Sequence, residues 1–161
     1  MLWNRQIEAL KVIVAAAQKT PPVLWAVTGS TSFVLQGMNL EAHDIDIQTD
    51  EASAYELGNR LKKYEIDPVH FCGTEKIRSH FGRLKICGTD VEIMGEIQKR
   101  LPDGSWERKF SLLPLIQSVD FEGTRVPVLS LAHEAEAYRK LGRTERADEI
   151  ERFLSASGSA V

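Results

Sequence analysis

Asp44 and Asp46, on either side of Ile45, are the residues whose types and spacing are best suited to chemistry. Two carboxylates this close repel each other, so the pair requires either full solvation or a positive charge that the neighbouring sequence does not supply. Acids alternate with isoleucines within residues 43–49, and this period of two predicts a β-strand. Both aspartates then face the same side of the strand, where they can share one cation.

A second strand pattern, residues 90–94, supplies a third acid. Glu92 lies inside this pattern between β-branched residues, whereas Asp90 lies at its start, where solvent can satisfy it. If the two strands are neighbours, Glu92 completes a cluster of hard oxygen ligands suited to Mg²⁺. We therefore predict that Asp44, Asp46 and Glu92 bind a divalent metal, Mg²⁺ or Mn²⁺.

A Gly-Ser pair, Gly29-Ser30, follows a short apolar run at residues 23–27 that predicts a buried strand. A helix is predicted to begin at Ser30 or Thr31 and to end at Gly37. The free N–H groups at the start of a helix can bind a phosphate, and a glycine has no Cβ to block the approach.

These features together fit one reaction. Metal-bridged carboxylates can hold a triphosphate, neutralise the charge that develops on its α-phosphate, and activate an acceptor hydroxyl. Each feature alone is weak, because an Asp-x-Asp pair on a surface strand is more often solvated than bound to a metal. An unrelated α+β protein with solvated acids therefore stays open as an alternative, although the order and spacing of the features favour the metal site.

The rest of the chain predicts the elements that position these residues. Apolar residues at helical spacing predict an N-terminal helix ended by Pro21-Pro22, and another helix over residues 51–64. Two helices joined at Gly142 follow the last strand. Further strands are predicted at residues 69–71, 81–86, 90–94, 119–121 and 125–129. We therefore predict one α+β domain with a frayed tail at residues 155–161.

Composition narrows the functional class. Hydrophobic residues make up 43% of the 161 residues, enough for a core, and the formal net charge of −3 does not indicate a nucleic-acid-binding protein. Two cysteines without a CxxC pattern indicate a reduced compartment, and no apolar run approaches the length of about 18 residues that a membrane span requires. We expect a cytoplasmic protein without a membrane segment.

The order of the motifs resembles the nucleotidyltransferase superfamily related to DNA polymerase β. Its small members include antibiotic nucleotidyltransferases and the minimal nucleotidyltransferases of toxin–antitoxin pairs. The resemblance covers residues 23–94 well and the remainder loosely. It implies a mixed β-sheet flanked by helices with a C-terminal helix pair, in a single domain over residues 1–161. The catalytic core is then about 20–130, and the C-terminal helices about 130–154.

The resemblance also implies a role for each site residue. Gly29 and Ser30 match the pair that contacts the triphosphate of an NTP substrate. Asp44, Asp46 and Glu92 match the acids that ligate the metals, and Glu92 is the natural acceptor of the proton from the acceptor hydroxyl. The implied activity is transfer of a nucleoside monophosphate from NTP to an acceptor hydroxyl of unknown identity: a small molecule, an RNA end or a protein.

The C-terminal sequence departs from the pattern of some relatives. In those relatives a lysine precedes a Gly-Arg pair by four positions and an aspartate follows, whereas this chain has Tyr138 and Arg146 there, and Lys140 could substitute for the lysine. The alternative function is therefore a noncatalytic or partner-dependent nucleotide-binding regulatory module, similar to an antitoxin. A homodimer and a complex with a partner protein are both compatible with the sequence.

Overall fold

Seven strands pair into one mixed sheet in the structure, a computed structural model that describes residues 1–158. The strand order is β3-β4-β5-β2-β1-β7-β6. The strands are β1 Trp25–Thr28, β2 Ile45–Thr49, β3 Glu65–Gly73, β4 Ile77–Ile86, β5 Thr89–Lys99, β6 Ile116–Phe121 and β7 Thr124–Leu129. The helices are α1 Asn4–Gln18, α2 Gly29–Leu35, α3 Glu51–Arg60, α4 Leu131–Lys140 and α5 Thr144–Ala156. The predicted α+β fold with a mixed sheet and a C-terminal helix pair is confirmed.

The main core forms on one face of the sheet, where α1 and α3 pack. Every second residue of the central strands points to this face, so Val27, Ile47 and Ile93 are fully buried in one cluster with Ile13 and Leu57 of the helices. Burying a side chain of this size stabilises the fold by about 1.5–3 kcal/mol. The opposite residues of the same strands, which include the predicted site acids, therefore point to the other face.

A smaller cluster joins α2 to the C-terminal helix pair. Phe33 of α2 packs with Leu131 and Ala135 of α4 and with Ile150 of α5, and all four side chains are buried. This packing fixes α4 beside the ends of β1 and β2, on the sheet face opposite the main core.

Several elements differ in length from the predicted ones. The helix predicted over residues 51–64 ends at Arg60, with a separate 3₁₀ turn at Lys62–Tyr64. Strand β3 is longer than the predicted residues 69–71, because the edge position tolerates Pro68 and exposed polar residues that lower the strand tendency of its sequence. Helix α5 runs to Ala156, into the segment predicted to be frayed, and the last three positions of that segment lie outside the described residues.

No helix among the described residues is both long and apolar enough to span a membrane.

The contact between α3 and β5 leaves no room for a side chain at Gly95. A Cβ there would lie 2.5 Å from the Ala54 Cβ and 3.1 Å from the Asp50 carbonyl oxygen. We expect Gly95→Ala to lower the free energy of unfolding by about 1–3 kcal/mol through overpacking, as measured by urea denaturation. In a double-mutant cycle, Ala54→Gly should recover part of this loss, and an absence of coupling would contradict the contact.

Candidate functional site

The predicted site acids lie in one row across the sheet. Asp46 of β2 pairs with Thr28 of β1 on one side and with Glu92 of β5 on the other. Arg83 of β4 continues the row beyond Glu92. Residues paired in register point to the same face, so the row places the carboxylates of Asp46 and Glu92 side by side.

A cavity of about 250 Å³ opens above this row. Its floor includes Asp46 and Glu92, and α4 forms the opposite wall with Glu134 and Tyr138. Arg143, just after α4, brings a positive charge to the cavity edge. The cavity thus lies between the sheet and the C-terminal helix pair, and both are needed to form it.

Gly29 joins β1 to α2 at the edge of the cavity in a conformation that favours glycine. Its φ is +71°, in the left-handed region, and a Cβ built on it would lie 2.9 Å from Oδ2 of Asp46. The backbone therefore approaches the aspartate closely, which a side chain at this position would prevent.

Burial and the crowding of carboxylates together determine the electrostatics of the site. Burial, the largest cause, together with the nearby charges of Asp44, Glu92 and Glu134 raises the pKa of Asp46 from 3.8 to about 7. Burial and Asp44 also raise the pKa of Glu92, while Arg83 opposes the increase. Among the described residues, the influences that shift the pKa of Asp46 are burial and other carboxylates, as expected of acids arranged to receive a cation.

The residues fit a divalent metal. Asp46 Oδ1 is buried and has no hydrogen-bond partner among the described residues, although buried polar atoms are almost always paired. Carboxylate oxygens are the ligands that Mg²⁺ prefers. Asp44, Asp46 and Glu92 could therefore hold such an ion once their ligand atoms converge, because among the described residues these atoms do not all lie within 4.8 Å of one another.

Two of the predicted site residues lie at the margin of the cavity. Asp44 is half-buried and precedes β2, while Ser30 is half-buried as the second residue of α2. Neither forms part of the cavity wall, which Gly29, Asp46 and Glu92 do. The carboxylate of Asp44 is still close enough to raise the pKa of both other acids.

Glu134 is a fourth acid of the site that the sequence analysis missed. It is 3% exposed, and its Oε1 accepts hydrogen bonds from the Thr28 hydroxyl and, at 3.3 Å, from the Gly29 N–H. The sequence does contain a signal for Glu134, because this residue lies three positions after Leu131 and four before Tyr138, on the apolar stripe of its helix. A carboxylate on a buried stripe requires partners, which indicates a site.

The departures at Tyr138 and Arg146 have distinct surroundings. Tyr138 is half-buried in the cavity wall, and the Arg143 guanidinium carbon lies 5.8 Å from its ring centroid. Arg146 lies over Phe33 at 5.9 Å and pairs with Glu149 at 2.8 Å. Among the residues that line the cavity, Lys99 and Arg143 carry positive charge, whereas position 138 does not.

A second group of side chains of the kinds that ligate metals lies elsewhere, where α3 contacts β4 and β5. Ligand atoms of Glu51, His80 and Glu96 all lie within 4.8 Å of one another. Existing contacts already occupy the group, since Glu51 pairs with His80 at 3.5 Å and Glu96 pairs with Lys109 at 2.9 Å. It contains none of the acids predicted from the sequence.

A substitution at Gly29 has two effects that a control can separate: a clash with Asp46 and the strain of a side chain in the left-handed conformation. We expect Gly29→Ala to lower the free energy of unfolding by about 2 kcal/mol, because it adds a clash to the left-handed conformation. Gly88→Ala is the matched control, since Gly88 has a φ of +77° with nothing within 4 Å of the added Cβ. Urea denaturation should show a smaller loss for the control, and equal losses would contradict the clash.

Removing the charge of Asp46 should change how stability depends on pH. Because the pKa is raised from 3.8 to about 7, the folded chain binds more protons than the unfolded chain between these values, so stability falls as the pH rises through them. We expect Asp46→Asn to reduce this fall and to be more stable than the wild type by about 2 kcal/mol near pH 8. The exposed Asp120→Asn serves as the control for urea denaturation across the pH range. A wild-type-like pH dependence in Asp46→Asn would contradict the raised pKa of Asp46.

Comparison with known proteins supplies the context for this geometry. The model of the aminoglycoside-2''-adenylyltransferase family matches residues 9–158. The crystal structure of TM1012 from Thermotoga maritima, described as a nucleotidyltransferase, is 46% identical, with a TM-score of 0.84 over 97% of this chain and 96% of that chain. A search of curated proteins found no match.

Two proteins whose descriptions refer to antibiotics share the fold at low identity. The solution structure of the antibiotic-resistance factor ANT(2'')-Ia is 14% identical, with a TM-score of 0.61 over 94% of this chain and 85% of that chain. The lincosamide adenylyltransferase LnuA, with lincomycin bound, is 16% identical, with a TM-score of 0.54 over 88% of this chain and 96% of that chain.

The family match spans most of the sequence and includes the sheet, the acid row and the helix pair. TM1012, described as a nucleotidyltransferase, is 46% identical to this chain over nearly the full length of both, which agrees with the family assignment. The chain belongs to the aminoglycoside-2''-adenylyltransferase family, within the nucleotidyltransferase superfamily.

Proposed function

We propose that this protein is a metal-dependent nucleotidyltransferase that moves a nucleoside monophosphate from NTP to an acceptor hydroxyl. The observation that carries the proposal is the buried, unpartnered oxygen of Asp46, which lies in a row with Glu92 beneath a cavity. Membership of a nucleotidyltransferase family supports the transfer of a nucleotide to an acceptor.

Asp44, Asp46 and Glu92 would hold the divalent metal, Mg²⁺ or Mn²⁺. When bound, such an ion would neutralise the charge that develops on the α-phosphate. The raised pKa of Asp46 means that this carboxyl must lose a proton before it can act as a ligand, so metal affinity should increase as the pH rises through about 7.

The triphosphate would lie against the Gly29-Ser30 turn. The absence of a side chain at Gly29 allows a close approach to the backbone, and the turn is in contact with Asp46. Arg143 at the cavity edge supplies a positive charge that can pair with phosphate oxygens.

The proposed transfer breaks one bond and forms one. The acceptor oxygen bonds to the α-phosphorus, and pyrophosphate leaves as its bond to that phosphorus breaks. Glu92 accepts the proton of the acceptor hydroxyl, a role favoured by its raised pKa and its position in the cavity floor.

The first acceptors and donors to test follow from the relatives. The family description names aminoglycosides and adenylyl transfer, so ATP and an aminoglycoside panel come first, followed by other small hydroxyl compounds, RNA ends and proteins. We further propose a cytoplasmic location, in keeping with the two free cysteines, Cys72 and Cys87.

A second candidate function has one specific observation in its favour. Tyr138 stands in the cavity wall, where some relatives carry a lysine, so the cavity has one positive charge fewer for a triphosphate. A noncatalytic nucleotide-binding or partner-binding module would be compatible with this replacement.

A thermal-shift titration tests the proposal. We expect ATP or another NTP with Mg²⁺ to raise the melting temperature by roughly 5–10 °C at about a hundred times its dissociation constant. Omitting the metal should remove the increase, and so should Asp46→Asn, which keeps the side-chain volume but removes the charge. Turnover, measured as pyrophosphate release with the acceptor panel, should disappear in the same variant.

Asp120→Asn is the control, because it removes a carboxylate that is exposed and far from the row in the sheet order. Metal-dependent binding without pyrophosphate release for any acceptor would favour the noncatalytic module. Turnover retained by Asp46→Asn would overturn the proposed metal site.

A further inference from the structure

Glu134 is a buried carboxylate that the proposed reaction does not use. It lies on α4, outside the sheet that carries the proposed metal ligands Asp46 and Glu92, and is 3% exposed. Burying an ionisable group is costly unless it is paired, and α4 could pack against α2 through its apolar residues alone. The carboxylate therefore requires an explanation beyond helix packing.

Both hydrogen bonds that the Glu134 side chain accepts come from the segment beside Asp46. One oxygen, Oε1, accepts hydrogen bonds from both the Thr28 hydroxyl and the Gly29 N–H. Thr28 is the register partner of Asp46, and Gly29 is the residue whose backbone approaches Asp46 Oδ2. A single side chain thus fixes the two consecutive residues that border the aspartate.

Lys99 is the nearby cation that favours the charged form of Glu134. Burial raises the pKa of Glu134 to about 7, while the two hydrogen bonds and the charge of Lys99 oppose the increase. Lys99 is itself 5% exposed, lines the same cavity, and pairs with Glu107 at 3.5 Å. The carboxylate is therefore part of a buried charged group rather than an isolated exception.

We propose that Glu134 is a positioning residue for nucleotide binding: it holds the Thr28–Gly29 segment in place against Asp46 from the C-terminal helix pair. The inference rests on the proposed function, because it assumes that a nucleotide binds at this turn. Both hydrogen bonds are accepted by a residue of α4, so the position of the helix pair sets the geometry of the turn. A turn ordered before binding loses less conformational entropy when the nucleotide binds.

The test compares three variants of the full chain. Glu134→Ala removes the acceptor, Glu134→Gln keeps a carbonyl oxygen that can accept both hydrogen bonds, and Glu136→Ala removes an exposed carboxylate from the same helix. The probe is α,β-methylene-ATP with Mg²⁺, which cannot undergo transfer, and the readout is its dissociation constant by calorimetry.

We expect Glu134→Ala to weaken binding of the probe by about tenfold, the effect of losing one to two hydrogen bonds. Glu134→Gln should bind within about threefold of the wild type, and Glu136→Ala should bind as the wild type does. With an active donor and acceptor, Glu134→Ala should raise the KM for NTP with little change in the KM for the acceptor. A purely structural role would lower the folded fraction without this difference between the two substrates.

Three results overturn the inference. Equal binding by Glu134→Ala and Glu136→Ala would show that Glu134 does not position the nucleotide. Equal weakening by the Gln and Ala variants would show that the charge, not the accepted hydrogen bonds, is responsible. No binding by the wild type of this probe or of the corresponding analogues of the other NTPs would overturn the proposed function and this inference with it, and that result is distinct from the other two.

Discussion

Repulsion among carboxylates around Asp46 is the interaction on which the site depends. Asp44, Glu92 and Glu134 each raise the pKa of Asp46, in addition to the larger effect of burial. A fold selected for stability alone would not bring these groups together, because each ionised acid disfavours the next. A bound cation would attract all of these carboxylates and so offset their mutual repulsion, which explains why the fold brings them together.

The mixed sheet is what brings the acids together. β2 and β5 are parallel neighbours although β3, β4 and a helix separate them in the chain, and their register pairs Asp46 with Glu92. The apolar residues on the opposite face of these strands pack under α1 and α3. Burial of that face therefore determines the register, and the register determines the distance between the acids, since a shift by one residue would reverse both faces.

The C-terminal helix pair completes the site instead of merely covering it. Its apolar contacts with Phe33 hold α4 in place, and α4 brings Glu134 to the Thr28–Gly29 segment and Tyr138 to the cavity wall. Gly29 lets the backbone of this segment approach Asp46 closely, because the left-handed conformation and the contact with Asp46 leave no room for a side chain there. Residues distant in sequence thus converge on one carboxylate.

Local patterns in the sequence determined much of this protein: the strand positions of Asp46 and Glu92, the turn at Gly29, the strands β4 and β5, and the α+β class. These features follow from short-range periodicity and turn chemistry, which operate within a few residues. Glu134 escaped because its role depends on a partner more than a hundred positions away, although its place on an apolar stripe was visible. Only the tertiary structure decided which strands are neighbours, which side of the sheet the acids share, and which helix closes the cavity, because these depend on long-range packing of faces that local sequence does not specify.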